Sequence, residues 1–113
     1  MTCIFCEIAA GRVPSDKVYQ DEQVIAFRDI SPQAPKHILI MPKAHIPSLN
    51  DLKTSHEKLI AHLILVAVDL AKKEGIADKG YRLAVNCGPD GNQIVPHLHF
   101  HLVGGRKLDG MLG

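Results

Sequence analysis

The sequence predicts an α+β fold: a five-stranded antiparallel sheet with one long helix and a short N-terminal helix, in a single domain spanning residues 1–113. Three observations lead there. Residues His97 to Val103 alternate histidine with apolar residues at a period of two, the pattern of a half-buried strand. One segment, from Thr54 to Lys73, carries apolar residues at helical spacing over a long stretch. The remaining apolar runs are short, follow one another as hairpin-like neighbours and allow only one helical crossover, which favours antiparallel pairing with a helix covering one face.

The elements follow in order. Ile4, Phe5 and Ile8 recur as in a short helical turn, and Gly11 is a stop. Val18–Gln20 and Val24–Phe27 read as two strands around the turn Asp21-Glu22-Gln23. Asp29 to Lys36 holds two prolines and no periodicity, so it reads as a loop. His37–Met41 is an apolar strand ended by Pro42. Thr54 can N-cap the long helix, with Glu57 three residues on completing a capping box. Leu59, Leu63, Val66 and Leu70 form its core stripe, while Ile60, Ile64 and Ala67 supply a second apolar face. Lys72 and Lys73 suit the negative end of the helix dipole, and Gly75 ends it. Tyr81–Asn86 is a strand, Gly88–Asn92 a turn-rich loop, and His97–Val103 the last strand.

On that last strand His97, His99 and His101 point from one face, and Leu98, Phe100 and Leu102 from the other, toward a core. A lone histidine on a strand is ordinarily a surface or satisfied residue. Three in alternation put three rings that titrate near neutrality on one surface, each with two nitrogens for proton transfer, nucleophilic attack or metal binding.

Composition excludes several classes. The net charge of +1 offers no field for a long nucleic-acid track, and few aromatics with no Trp offer no base-stacking platform. No apolar run approaches the roughly 20 residues of a membrane span. The start Met1-Thr2-Cys3 lacks a basic leader region. Three cysteines, two of them as Cys3-x-x-Cys6, suit a reducing compartment, so the expected location is cytoplasmic, with neither nucleic acid nor membrane as partner. The Cys-x-x-Cys spacing alone fits either a zinc knuckle or a redox pair; no thioredoxin-like βαβ context surrounds it. Cys87 is read as core.

The motif His97-Leu98-His99-Phe100-His101-Leu102-Val103, the segment Phe27–His37, Pro42-Lys43-Ala44-His45-Ile46, Gly80-Tyr81-Arg82, Asn86 and Gly104-Gly105-Arg106 together resemble the histidine triad (HIT) family. The likeness is to its Hint branch of nucleotide-binding proteins, in the bacterial type with an N-terminal Cys-x-x-Cys, and runs from about Cys3 to Met111. It implies a two-fold dimer joined sheet edge to sheet edge. It also implies a hydrolase that cleaves purine nucleoside phosphoramidates, or related nucleoside monophosphate derivatives, through a nucleotidyl-histidine intermediate.

The resemblance assigns roles residue by residue. His99 matches the nucleophile, whose other nitrogen must carry the proton. His101 matches the residue that contacts the phosphate or bridging oxygen. His37 matches a histidine that can donate to the leaving group. Asp29 matches the ribose ligand, a carboxylate that accepts from two vicinal hydroxyls; its ordinary role would be to form the turn before Ser31-Pro32. Ile4, Phe5, Ile8, Phe27 and Ile30 match the walls of the base pocket and would serve equally as plain core. Asn86 matches a side-chain donor to phosphate, and Asn92, Gln93 and Ile94 would offer backbone N–H groups to the same anion. Ile94 stands where Hint relatives commonly have a serine that reaches the phosphate, and the chain lacks the Trp-Pro-Pro ending that helps set leaving-group preference. In some relatives the cysteine pair, the histidine of Pro-Lys-x-His and the first triad histidine bind structural zinc; those positions are Cys3, Cys6, His45 and His97, and no organic cofactor is expected. Two further readings stand beside this one. In one, the three triad histidines bind a catalytic zinc; in the other, the protein binds nucleotides as a scaffold with little turnover.

Overall fold

A computed structural model describes residues 3–113; Met1 and Thr2, and with them the reading of the N-terminus as leaderless, lie outside the described residues. The chain runs α1 (Ile4–Ala9), β1 (Lys17–Gln20), β2 (Val24–Arg28), β3 (Lys36–Pro42), two 3₁₀ turns, α2 (Glu57–Lys73), β4 (Tyr81–Val85) and β5 (Phe100–Gly104). The strands form one antiparallel sheet in the order β1-β2-β3-β5-β4. The expected α+β class and its elements are thus present, with α2 as the one helical crossover.

Alternation sorts the sheet's two faces. Val24 and Ala26 of β2, Ile38 and Ile40 of β3, and Phe100 and Leu102 of β5 pack against Leu63, Val66, Ala67 and Leu70 of α2. The opposite face of β2 and β3 carries Ile25, Phe27, Leu39 and Met41, which pack with Phe5 and Ile8 of α1. Two covered faces explain why these strands read as unbroken apolar runs. Ala67 belongs to the main core and is fully buried, so it leaves the second helix face that the sequence suggested. Ile64 and Leu65 remain exposed there, and Ile60 is half-buried against the core.

Both ends of α2 have a physical cause. The proposed Thr54 cap does not form. Residues Thr54–His56 make a 3₁₀ turn in which His56 Nδ1 accepts from the Lys53 N–H at 2.9 Å, and the helix begins at Glu57. At the other end Gly75 (φ 75°) takes the left-handed position. Gly75 N–H donates to Lys72 O and Ile76 N–H to Ala71 O, which returns Ile76 to the core.

The triad segment departs from the expected strand. The ladder with β3 starts only at Phe100, opposite Ile40. His97, in a bend that its N–H closes on Val95 O, and then Leu98 and His99 precede it outside the ladder, tied instead through Leu98 N–H to Ile46 O at 2.7 Å. Leu98, Phe100 and Leu102 still enter the core together.

Candidate functional site

On the α1 side of the sheet lies a cleft of about 870 Å³. Its apolar end is lined by Ile4, Phe5, Ile8 and Phe27, and its polar floor by Asp29, His37, His99 and His101. Sheet geometry puts these groups together. His37 on β3 and His101 on β5 project from the same face as diagonal neighbours, since His101 pairs with Leu39 and His37 with Val103. Parity likewise brings Arg82 and Asn86, at the start and just past the end of β4, to the cleft.

The hydrogen bonds assign each ring's proton. His99 is buried, and its Nδ1 lies 2.7 Å from the carbonyl oxygen of His97. A carbonyl only accepts, so Nδ1 carries the proton and Nε2 keeps its lone pair. Phe5 presents its edge to this ring, centroid to centroid 4.9 Å at 89°, and packs on Phe27 at 5.6 Å. On the neighbouring pair, the Gln33 N–H donates to His37 Nδ1 at 3.0 Å. His37 therefore holds its proton on Nε2, which lies 2.9 Å from His101 Nδ1 and 3.4 Å from Asp29 Oδ2. His101 then accepts at Nδ1 and carries its own proton on Nε2. The His37 ring is buried, and its Nε2 faces His101 Nδ1.

Burial, reinforced by the neighbouring His99 and His37, pushes His101 down to about 4. Burial also lowers His37, against the opposing pull of Asp29. Both rings are neutral at pH 7. Asp29 Oδ1 accepts from the Ser31 N–H at 2.8 Å, forming the turn, and the residue also lines the cleft.

A second cluster adjoins the first. Cys6 Sγ lies 3.3 Å from His45 Nδ1 and 3.5 Å from His97 Nδ1; Cys3 Sγ lies 3.4 Å from His97 Nδ1; the two Nδ1 atoms are 3.3 Å apart. All four donor atoms fall within 4.8 Å of one another. A tetrahedral zinc with Zn–N near 2.0–2.1 Å and Zn–S near 2.3 Å has edges of about 3.3–3.7 Å, so the donor set fits that ion. His97 Nε2 donates to Pro42 O at 2.8 Å, which leaves Nδ1 bare and aimed at the cysteines. The Cys6 thiol is pushed up by burial and by Cys3 beside it.

The three triad histidines do not converge. Among the described residues His97 groups with the cysteines and His101 with Asp29 and His37, while His99 belongs to neither set. The catalytic-zinc reading, which needs all three on one ion, loses its geometry. The Asp29, His37 and His101 donors are close enough for a cation, but the Gln33 N–H keeps the proton on the His37 nitrogen that would have to bind it.

The loop before the triad also differs from expectation. Asn92 N–H donates to Pro89 O and Gln93 N–H to Gly88 O, so two of the three backbone donors expected for an anion close the loop on itself. The Gln93 side chain turns away, accepting from Gly88 N–H and donating to Pro47 O and Val95 O, and Gln93 does not line the cleft. Asn86 does line it, but its amide donates to Gly91 O at 2.6 Å. Asn92 and Ile94 face the cleft, as does the nearly fully exposed Ile30. Ser31, Gln33, Arg82, Arg106, Leu108 and Asp109 also line it; the sequence assigns them no site role, although Ser31, Gln33, Arg82 and Arg106 stand in motifs that carry the resemblance. For Arg82 the alternation along Tyr81–Asn86 carried the signal; for the others, set on loops, no periodicity did. Cys87 is half-buried beyond β4 and not in the main core.

Comparison with known proteins agrees with this architecture. Residues 10–108 match the HIT domain family model. The chain is 53% identical over 109 residues to a purine nucleoside phosphoramidase of Escherichia coli, covering 96% of this chain and 92% of that one. It is 47% identical to a 14 kDa zinc-binding protein of Zea mays, covering 94% and 84%. A HIT family hydrolase from Legionella pneumophila superposes with a TM-score of 0.98 at 45% identity, over 99% of this chain and all of that one. A HIT model matched across most of the chain is decisive: the chain belongs to the histidine triad family.

Proposed function

We propose that the protein is a hydrolase of purine nucleoside phosphoramidates and related nucleoside monophosphate derivatives, acting through a nucleotidyl-His99 intermediate. The observation that carries the reading is the His99 ring, its Nδ1 proton spent on the His97 carbonyl and its Nε2 lone pair at the floor of a cleft apolar at one end. The base would lie among Ile4, Phe5, Ile8, Phe27 and Ile30, and the ribose hydroxyls would meet Asp29. Nε2 attacks phosphorus in line with the departing nitrogen, forming an N–P bond as the P–N bond to the amine breaks. His101 presents its Nε2–H to that nitrogen, which leaves as free amine. Water then cleaves the Nε2–P bond; its oxygen goes to phosphorus, and a proton returns to His101. The Escherichia coli relative's name supports this substrate class.

Zinc at Cys3, Cys6, His45 and His97 would be structural, because four protein ligands leave no position for substrate. The Zea mays relative's name supports the metal. The single domain over 1–113 and a cytoplasmic location are retained as proposals. The location rests on three free thiols; among the described residues no helix is long and apolar enough to cross a membrane. A homodimer is supported by β4, an edge strand with an unpaired side, and by the exposed Ile64 and Leu65 on α2.

The exposed Ile94, which supplies no hydroxyl to phosphate, favours as second reading a nucleotide-binding protein with little turnover. Single-turnover incubation with adenosine 5′-phosphoramidate separates the two. The hydrolase reading expects stoichiometric release of AMP that survives a strong chelator over the assay. Bound but uncleaved substrate would favour the binding role.

A further inference from the structure

The loop between β2 and β3 is built more firmly than a connection requires. Asp29 N–H donates to His37 O at 3.0 Å across its base, and Asp29 Oδ1 holds the Ser31 N–H. Pro32 and Pro35 stiffen its path. From the end of β5, Arg106 Nη2 reaches over and donates to the carbonyl of Gln33 at 2.9 Å. That reach depends on Gly105, which sits at φ +94° with its Cα so close to Pro35 that an added Cβ would lie 2.9 Å from the proline's own Cβ. The loop and the turn after β5 are therefore fastened at Gln33, through its carbonyl to Arg106 and through its N–H to His37 Nδ1.

The N–H end of that attachment has a chemical consequence. An amide N–H cannot accept, so it forces the lone pair of His37 onto Nδ1 and the proton onto Nε2. At 2.9 Å from His101 Nδ1, that proton forces the next lone pair, and the proton of His101 ends on the nitrogen facing the cleft. Without the Gln33 N–H, only Asp29 Oδ2 at 3.4 Å would favour the proton on His37 Nε2, and the pair could also run the other way, leaving His101 with a bare nitrogen toward the departing group.

We propose that the Gln33 backbone, its carbonyl clamped by Arg106 and its N–H on His37, is a positioning group that fixes the tautomers of His37 and His101 and so keeps a donor aimed at the leaving group. Gln33 and Arg106 act through the two histidines and touch no reacting atom. The inference rests on the nucleotidyl-transfer reading for its effect on rate, but not for its effect on tautomers.

Nitrogen-15 NMR of histidine-labelled protein reads the tautomers directly, since protonated and bare ring nitrogens differ widely in shift. Wild-type protein should show His37 and His101 as Nε2–H and His99 as Nδ1–H. Gln33→Pro, which deletes the donor, should populate Nδ1–H at His37 and a mixture at His101. With adenosine 5′-phosphoramidate, kcat should fall roughly tenfold, the worth of one hydrogen bond felt in the transition state, with KM little changed. Gln33→Ala keeps the N–H and should keep the tautomers. Arg106→Met loosens the clamp without altering the loop's backbone and should give an intermediate mixture, which Arg106→Lys partly restores; it serves where Gln33→Pro fails to fold. A wild-type His37 protonated at Nδ1, or unchanged tautomers in Arg106→Met and in folded Gln33→Pro, would overturn the proposal. Wild-type protein with the stated tautomers and no AMP production would instead count against the phosphoramidase reading alone.

Discussion

A histidine with one nitrogen tied to a backbone carbonyl has only the other to use. His97 and His99 are both tied in this way, yet with opposite nitrogens: His97 through Nε2 to Pro42 O, His99 through Nδ1 to its neighbour's carbonyl. One ring is thereby aimed at thiols and the other at the cleft, although they stand two residues apart. The sequence made the residue types and their shared face legible, because period-two alternation needs no tertiary information. It could not assign nitrogens, since the carbonyls and the Gln33 N–H that do so come from distant or irregular chain. The resemblance gives His37 a leaving-group role, and nothing in the alternation foretells that its Nε2 faces His101 Nδ1. Ile94 is the other residue-scale departure. It is 79% exposed at the cleft, where a hydroxyl would serve the phosphate better. Ile94→Ser should raise kcat on adenosine 5′-phosphoramidate about ten- to a hundredfold, since a hydrogen bond to a charged oxygen contributes about 1.5–3 kcal/mol. Steady-state kinetics on the folded variant checks this; an unchanged kcat would mean the phosphate is held by other groups.

At the scale of elements, the short helix α1 is the piece least able to hold itself. Six residues are too few for an independent helix, and only Phe5 and Ile8 are buried. The cysteines at its start reach His45 after β3 and His97 before β5, so one ion would tie three segments remote in sequence. Removing that tie should be costly: Cys3→Ser and Cys6→Ser should each lower Tm and lose bound metal, with several kcal/mol of stability at stake. Elemental analysis with thermal unfolding is the check, and variants that match wild type in both would return the cysteines to plain packing. The strand cores and α2 were legible because their periodicities are clean. The start of β5 was not: the apolar alternation continues back to Leu98, but β3 offers a ladder partner only as far as Ile40. The cap of α2 was misread for a related reason, since Ser/Thr capping is a local rule and His56 fills the place Thr54 could have taken.

Across the whole molecule, the sheet separates a packing side from a chemical side. α2 covers one face with aliphatic side chains; the other carries α1, the cleft and the neutral rings of His37 and His101. Burying neutral rings makes stability depend on pH. In the unfolded chain His101 titrates near 6.5, whereas in the fold it is held down to about 4. Between those values the unfolded chain binds a proton that the native state refuses, so stability falls as pH drops from about 6.5 to 4 and levels off below. The contribution is on the order of 3 kcal/mol, with His37 acting in the same direction. Urea unfolding across that range should show this slope, and His101→Gln should flatten it; parallel slopes would exclude the mechanism. The edge strand β4 and the apolar residues left on α2 give a second expectation at this scale, a dimer by sedimentation that Ile64→Glu weakens.

The central claim is that His99 Nε2 becomes covalently bonded to phosphorus. Rapid acid-free quenching of the protein with adenosine 5′-phosphoramidate, followed by intact mass and peptide mapping, tests it most directly. The account expects an added adenylyl group on the peptide bearing His99, absent in His99→Ala, which should still bind AMP while its turnover is abolished. An adduct that persists in His99→Ala, or wild-type turnover with no adduct at any time point, would contradict it.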